Sequence, residues 1–468
     1  VSEPAETGDL SPLLIPDGVS YNCQGCGRCC AGWSVGMTAA DYARVKDIDW
    51  GALYPDLIGK ELFINREDEY KKGITSYPYF TQPRPDGSCS FLVDNLCAIH
   101  SHLGEDAKPG TCQLFPYTFV ETPSGVYTGV SMNSMAAVRN LGQPLVEQRG
   151  KLKGYYAKMK SYLSNKAVEA SSTASGARQI GDNPYSSVVL SGQTSVSWDE
   201  FLHVDKKMLD TIKKAEKTNE DFLLTLLKIE DIVWRACNMS KMGQPLSEIS
   251  EFEPTGIAGD GESNVSTNQG IMAMIFYLYL VYPSIRADFV DMWQLNNNER
   301  FSPGKIMRLI TQYRQYVGSG FSTIFLKNAN VRKFGKINLR KAIEYPVKPM
   351  PEDAQKFLRR WLYLKIFSKI YFGPAFCDYS LLAGFNGLVM SFICAFVFAK
   401  GEAMKRKTDE IHLDDLYEGV FRVDKEYFVL NQLLPQVSVA LAVAYSVPKM
   451  GRGILQMLAK GCVKVSCG

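Results

Sequence analysis

Apolar positions recur at helical spacing through most of the second half of the chain. Residues 144–168 read as an amphipathic helix. Ser197 and Glu200 form an S-x-x-E capping box ahead of a long helical stretch. Thr218 with Asp221 marks a second start, after which Leu223, Leu226, Leu227, Ile232 and Val233 keep the period. From about residue 268 to 460 most segments read helical. Before residue 135 the pattern breaks into short pieces rich in Gly, Pro and Cys. Thr38 and Asp41 predict a cap before Tyr42–Val45, and Val126–Val130 reads as a short strand. The expected fold is mainly α: a small irregular cysteine-rich domain with few short strands, packed on a large helical region.

The same pattern divides the chain. Residues 1–143 form the cysteine-rich unit, beginning with an arm that carries Pro4, Pro12 and Pro16. Residues 144–197 hold a helix and then a Ser/Gly-rich linker, including Ser171–Gly176. Residues 198–468 form the helical unit. Three stretches lack charge for long enough to permit membrane helices: Ser263–Ile285, Tyr379–Ala399 and Tyr427–Pro448. Each is broken or diluted, by Pro283, by Gly384 to Gly387, or by Asn431, Gln432 and Pro435. Buried core helices are therefore expected, and no membrane partner. Residues 1–20 lack a basic start followed by an apolar core, so the expected location is cytoplasmic.

Composition changes this picture little. Of 468 residues 46% are apolar and 22% charged, ordinary for a globular chain. A net charge of +3 gives no argument for nucleic acid. One local bias stands out: Lys327, Arg332, Lys333, Lys336, Arg340 and Lys341 precede the next acid, Glu344. Such a run is a solvated face, or a site for an anionic surface or a carboxylate.

The twelve cysteines are spread unevenly, with seven between Cys23 and Cys112. The first element is Cys23, Cys26, Cys29 and Cys30, a C-x2-C-x2-C-C run in which Gly25 and Gly27 supply tight, left-handed turns. The second is Cys89, Cys97 and Cys112, each beside a turn signal and apolar residues. Without an export signal, such density reads as metal ligation rather than disulfides. Seven thiols exceed one zinc site or one four-iron cluster, each of which takes four. Either two centres exist or some cysteines are supporting. In an extended backbone, neighbouring Cys29 and Cys30 would point apart and serve a centre differently. Cys237, Cys377 and Cys394 sit in apolar helical stretches and read as core; Cys462 and Cys467 are left open. His100 is spaced for co-ligation with Cys97, but it and His102 read first as surface residues of a polar loop; His203 and His412 carry no pattern.

At these residues the chain resembles the CxxCxxCC family of zinc- or iron-chelating domains. The match comprises the C-x2-C-x2-C-C run, G-x-C-x-F-L at Cys89, C-x-I-H at Cys97–His100 and P-x-x-C-x-x-F-P at Pro109–Pro116. With the helical region that follows, the architecture is similar to the flagellin lysine-N-methylase group. That resemblance implies an S-adenosylmethionine-dependent protein lysine N-methyltransferase with an iron–sulfur (4Fe-4S) cluster and a lysine-bearing protein substrate. Ser134 stands where such proteins often carry a further cysteine.

The residues themselves supply no cofactor motif. There is no Gly-rich loop between a strand and a helix, no P-loop, G-x-S-x-G or H-E-x-x-H, and no C-x3-C-x2-C run. Thr255–Gly261 is glycine-rich but lies in a polar loop between predicted helices. Catalytic residues and the S-adenosylmethionine site are unassigned. Two rival readings stand beside the methyltransferase: a non-catalytic, metal-stabilised protein-binding scaffold, and a redox or metal-handling protein. Zinc is the alternative to iron–sulfur.

Overall fold

The computed structural model describes residues 12–30, 34–84, 87–171, 185–250, 272–282, 303–331, 334–433, 435–446, 452 and 455. The fold is mainly α with short strands. Its long helices are α1 (Arg149–Ser171), α2 (Trp198–Thr218), α3 (Phe222–Lys241), α4 (Pro303–Ile324), α5 (Glu352–Phe367), α6 (Leu381–Arg406), α7 (Leu413–Leu433) and α8 (Pro435–Tyr445).

Local chemistry sets the boundaries. Ser197 and Glu200 form the expected capping box on α2, and Thr38 with Asp41 forms another on Ala39–Ala43. The cap of α3 is Asp221, three residues later than the start expected at Thr218. Thr218 still belongs to α2, which Asn219 closes in a left-handed conformation at φ 50°. The Asp221 carboxylate then accepts from the Leu223 N–H at 2.8 Å. Within the stretch expected as a linker, Ser187–Ser191 and Thr194–Ser197 pair as an antiparallel hairpin. Val188 and Leu190 alternate into the core, which outweighs the polar composition around them. Residues 1–11, the Ser-rich run at 172–184, Thr255–Gly261, Pro283, Arg332, Lys333, Cys462 and Cys467 lie outside the described residues.

Helix α6 is the middle of the fold. Among the described residues it is the one helix long and apolar enough to cross a membrane, and its apolar window is 100% buried by protein. It packs against α3, α7 and α8. Two of its buried polar side chains reach backbone partners: Asn386 Nδ2 donates to the Tyr445 carbonyl at 2.6 Å and Lys400 Nζ to the Ile343 carbonyl at 2.7 Å. The uncharged stretch after it splits into α7 and α8, with Pro435 opening α8. Cys237 and Cys394 are core residues, as expected. Cys377 is not: it is exposed at φ 52°, in the turn between Gly373 and Tyr379 that separates α5 from α6.

There are two apolar cores. The main one joins the helices to N-terminal residues Leu13, Val120, Val126, Tyr127 and Val130. These come from a parallel strand, Leu13–Leu14, on the hairpin Tyr117–Thr122/Gly125–Val130. Tyr127 meets Phe367 edge-on with centroids 5.4 Å apart. Gly129 is needed there, because a Cβ would fall 2.2 Å from Ser368 Oγ, whose hydroxyl donates to the Thr128 carbonyl. The second core is small and includes Met37, Val45, Trp50, Phe91 and Ile99. The cysteine segments are thus an excursion whose two ends are anchored in the main core.

Candidate metal centre

The C-x2-C-x2-C-C loop takes its shape from two glycines. Gly25 and Gly27 lie at φ 63° and 65°, the left-handed turns expected of them. They seat the loop on the hairpin that carries Cys97. A Cβ on Gly25 would fall 2.6 Å from Leu96 Cδ2, and one on Gly27 3.0 Å from Leu92 Cδ2. The loop ends in a 3-10 turn, Arg28–Cys30, closed by the Cys30 N–H on the Gly27 carbonyl at 3.0 Å. The backbone at Cys29 and Cys30 is turned rather than extended, so the two thiols act on one another.

Backbone bonds bring the later cysteines to Cys30. The Cys89 N–H donates to the Cys30 carbonyl at 2.8 Å. Leu92 pairs with Cys97 across a tight turn in which Asp94 and Asn95 have φ of 48° and 62°. Cys112 lies in the short helix Gly110–Leu114, pinned by the Thr111 hydroxyl on the Gly36 carbonyl at 3.0 Å. Gln113 Nε2 fastens the same helix to the Asp106 and Lys108 carbonyls at 2.9 and 2.7 Å.

Cys30, Cys89, Cys97 and Cys112 therefore lie within electrostatic reach of one another in every pairing. Burial raises Cys89 from the ordinary thiol value of 9.0 to about 11. Burial also raises Cys97 and holds Cys112 well above the ordinary range. Cys30 is raised first by its hydrogen bond with Cys29 and then by burial. Lys108 opposes the rise at Cys30, Cys97 and Cys112, and Lys425 of α7 opposes it at Cys30. The thiols are neighbours rather than a closed tetrahedron: among the described residues no three ligand-type side chains meet at metal-coordination distance.

Of the remaining cysteines, Cys29 adjoins Cys30. Cys23 and Cys26 are exposed. Cys23 and Cys29 both act electrostatically on the buried Tyr21 phenol, which also lies beside Ser134. Ser134 thus faces the Cys23–Cys29 side. A cavity of about 180 Å³ opens beside Cys23 and is walled by Tyr21, His100, Glu105, Phe115 and Tyr117. His100 and His102 are exposed, as expected of surface residues.

Helix α7 clamps this region in a way the linear sequence does not signal. Arg28, inside the cysteine run, donates to Glu418 at 2.6 Å and lies 5.0 Å from the Phe421 ring centroid. Its partner is 390 residues away, so no local pattern could find it. Ser131 donates to Asp424 at 3.2 Å, and Lys365 pairs with the same carboxylate.

The order of these segments is that of a known family. Residues 22–136 match the CxxCxxCC family. The family is described as a "Putative zinc- or iron-chelating domain". An uncharacterized protein of Methanocaldococcus jannaschii is 30% identical over 103 residues, which cover 22% of this chain and 30% of that protein. No solved structure matches.

The raised thiols fix a pH dependence. Without metal, the folded domain holds protons on Cys89 that the unfolded chain releases from about pH 9.0 upward. Stability from that thiol is complete below pH 9.0 and is lost as pH rises through about 11. Metal-free protein should therefore melt at progressively lower temperature across that window. The metal-loaded domain, with thiolates already formed, should lose much less. Thermal scans of both forms check this; parallel slopes would contradict it.

Proposed function

We propose that the CxxCxxCC domain binds one metal centre through Cys30, Cys89, Cys97 and Cys112, and that the centre is an iron–sulfur cluster. The observation behind this reading is the mutual proximity of these four thiols, one from each of the four sequence elements. The donor set suits a 4Fe-4S core or a tetrahedral zinc ion. Either carries about −2 net charge with four thiolates. Lys108 and Lys425 supply opposite charge beside them. Zinc would contribute structure alone, and a cluster could also carry an electron. Cys23, Cys26 and Cys29 are assigned a supporting position.

Anaerobic purification followed by iron, zinc and acid-labile sulfide analysis tests this reading. Cys30→Ser, Cys89→Ser, Cys97→Ser and Cys112→Ser should each lose most of the metal, whereas Cys26→Ser and Cys394→Ser should keep it. Metal loss from Cys26→Ser equal to that from Cys89→Ser would overturn the assignment.

We further propose lysine N-methyl transfer from S-adenosylmethionine to a protein substrate as the activity, carried by the resemblance of motif order and architecture. The cavity beside Cys23, with its tyrosines and carboxylate, suits one side chain. At about 180 Å³ it falls below the roughly 300 Å³ of ordinary small-molecule sites and does not fit the cofactor, so no transfer step is derived. Incubation with labelled S-adenosylmethionine and a lysine-rich protein, read by mass spectrometry, should add methyl groups to lysine. Transfer unaffected by Cys89→Ser would separate the activity from the metal centre.

A further inference from the structure

Among the described side chains of helix α4, the buried ones are small and polar: Ser319 is 7% exposed and Thr323 is fully buried. Each hydroxyl is satisfied one turn back, Ser319 on the Gln315 carbonyl at 2.8 Å and Thr323 on the Ser319 carbonyl at 2.6 Å. Gly320 lets Tyr277 approach, its Cβ position being 3.4 Å from that ring. The large apolar side chains described there point the other way. Met307, Ile310, Val317, Phe321 and Ile324 are 64%, 41%, 49%, 68% and 58% exposed. Their spacing of three, seven, four and three residues keeps them on one face. Tyr313 and Phe325 extend the stripe at 63% and 57%. Scattered exposed apolar residues need no explanation, but a continuous helical stripe does.

Charge says what covers it. No acidic residue occurs from Pro303 to Ile343. After α4 the chain forms the hairpin Asn328–Val331/Gly335–Asn338 and the helix Leu339–Glu344. Arg314, Lys327, Lys336 and Lys341 are all exposed, and none has an ion pair with a described residue. Arg340 pairs with Glu344 at 3.3 Å, the acid that ends the run. An exposed apolar stripe beside exposed, unpaired cations matches the interface of an anionic bilayer, where the rings enter the acyl boundary and the lysines meet the headgroups. An apolar protein groove would give the cations no partner.

We propose that α4 and the basic hairpin after it form a docking surface for anionic lipid membranes. The protein lies on the membrane through this face and does not span it. This revises the expectation that the chain has no membrane partner, and it stands independently of the metal centre. Flotation of the full chain with phosphatidylcholine vesicles, with and without about one-third phosphatidylglycerol, tests it. Binding should require the anionic lipid and fall steeply with added salt. Phe321→Glu with Ile324→Glu, and separately Lys336→Glu with Lys341→Glu, should each weaken binding at least about tenfold, with circular dichroism unchanged. The second pair leaves the stripe intact and so covers any folding defect of the first. Absence of binding to anionic vesicles, or equal binding to neutral ones, overturns the proposal. So does protection of the stripe in the free protein, whether by dimerisation seen in light scattering or by the chain itself seen in hydrogen exchange.

Discussion

Asp205→Ala should cost about 3–5 kcal/mol of stability, a large part of what holds any domain folded. Lys369, just beyond α5, has a fully buried side chain, and Asp205 on α2 is 5% exposed. Lys369 Nζ donates to Asp205 at 2.8 Å and to the Ile366 and Phe367 carbonyls at 3.2 and 3.1 Å. It also lies 4.2 Å from the Tyr127 centroid. One ammonium therefore ties the N-terminal hairpin, α2 and the end of α5 together. Burial lowers the Lys369 pKa and raises that of Asp205, and each partner opposes the other's shift. Removing the carboxylate leaves a buried cation with only carbonyls and a ring. Replacing both residues together, Asp205→Leu with Lys369→Met, should cost much less, because no charge is then stranded. Urea unfolding followed by circular dichroism measures both. A loss under about 1 kcal/mol for Asp205→Ala would mean that the pair contributes little.

Loss of the metal should unfold the small core and leave the helical body standing. That core, around Met37, Val45, Trp50, Phe91 and Ile99, has few long elements around it. A core of this size gives only a few kcal/mol, whereas a four-thiolate metal site contributes on the order of 10 kcal/mol near neutral pH. Cys89→Ser should therefore release Trp50, now 3% exposed, to solvent and red-shift its emission. Helical circular dichroism should persist, since α2, α3, α5 and α6 belong to the other core. Exchange should also rise in α7 as far as Lys425, because Glu418, Phe421 and Lys425 lose the ordered loop beside them. Hydrogen exchange by peptide separates these effects. Unchanged protection at Trp50 in metal-free Cys89→Ser would show that the small core stands alone.

Much of this was legible because it is local. Capping at Ser197 and Thr38, the turns at Gly25 and Gly27 and the buried nature of Leu381–Arg406 follow from neighbouring residues. What escaped was set by distance or by a competing turn. Asn219 ended α2 and moved the next cap to Asp221. A 3-10 turn brought Cys29 and Cys30 together where an extended chain would have parted them. The mutual coupling of Cys30, Cys89, Cys97 and Cys112 depends on the Cys30–Cys89 backbone bond and the Asp94–Asn95 turn. No spacing rule encodes either. The clamp from α7 joins residues hundreds of positions apart.

X-ray absorption at the metal edge of anaerobically purified protein reads the ligand set itself. An all-sulfur first shell at about 2.3 Å is expected, with iron–iron scattering if the centre is a cluster and none if it is zinc. Nitrogen or oxygen in that shell would place histidine or carboxylate at the centre and contradict the assignment to Cys30, Cys89, Cys97 and Cys112.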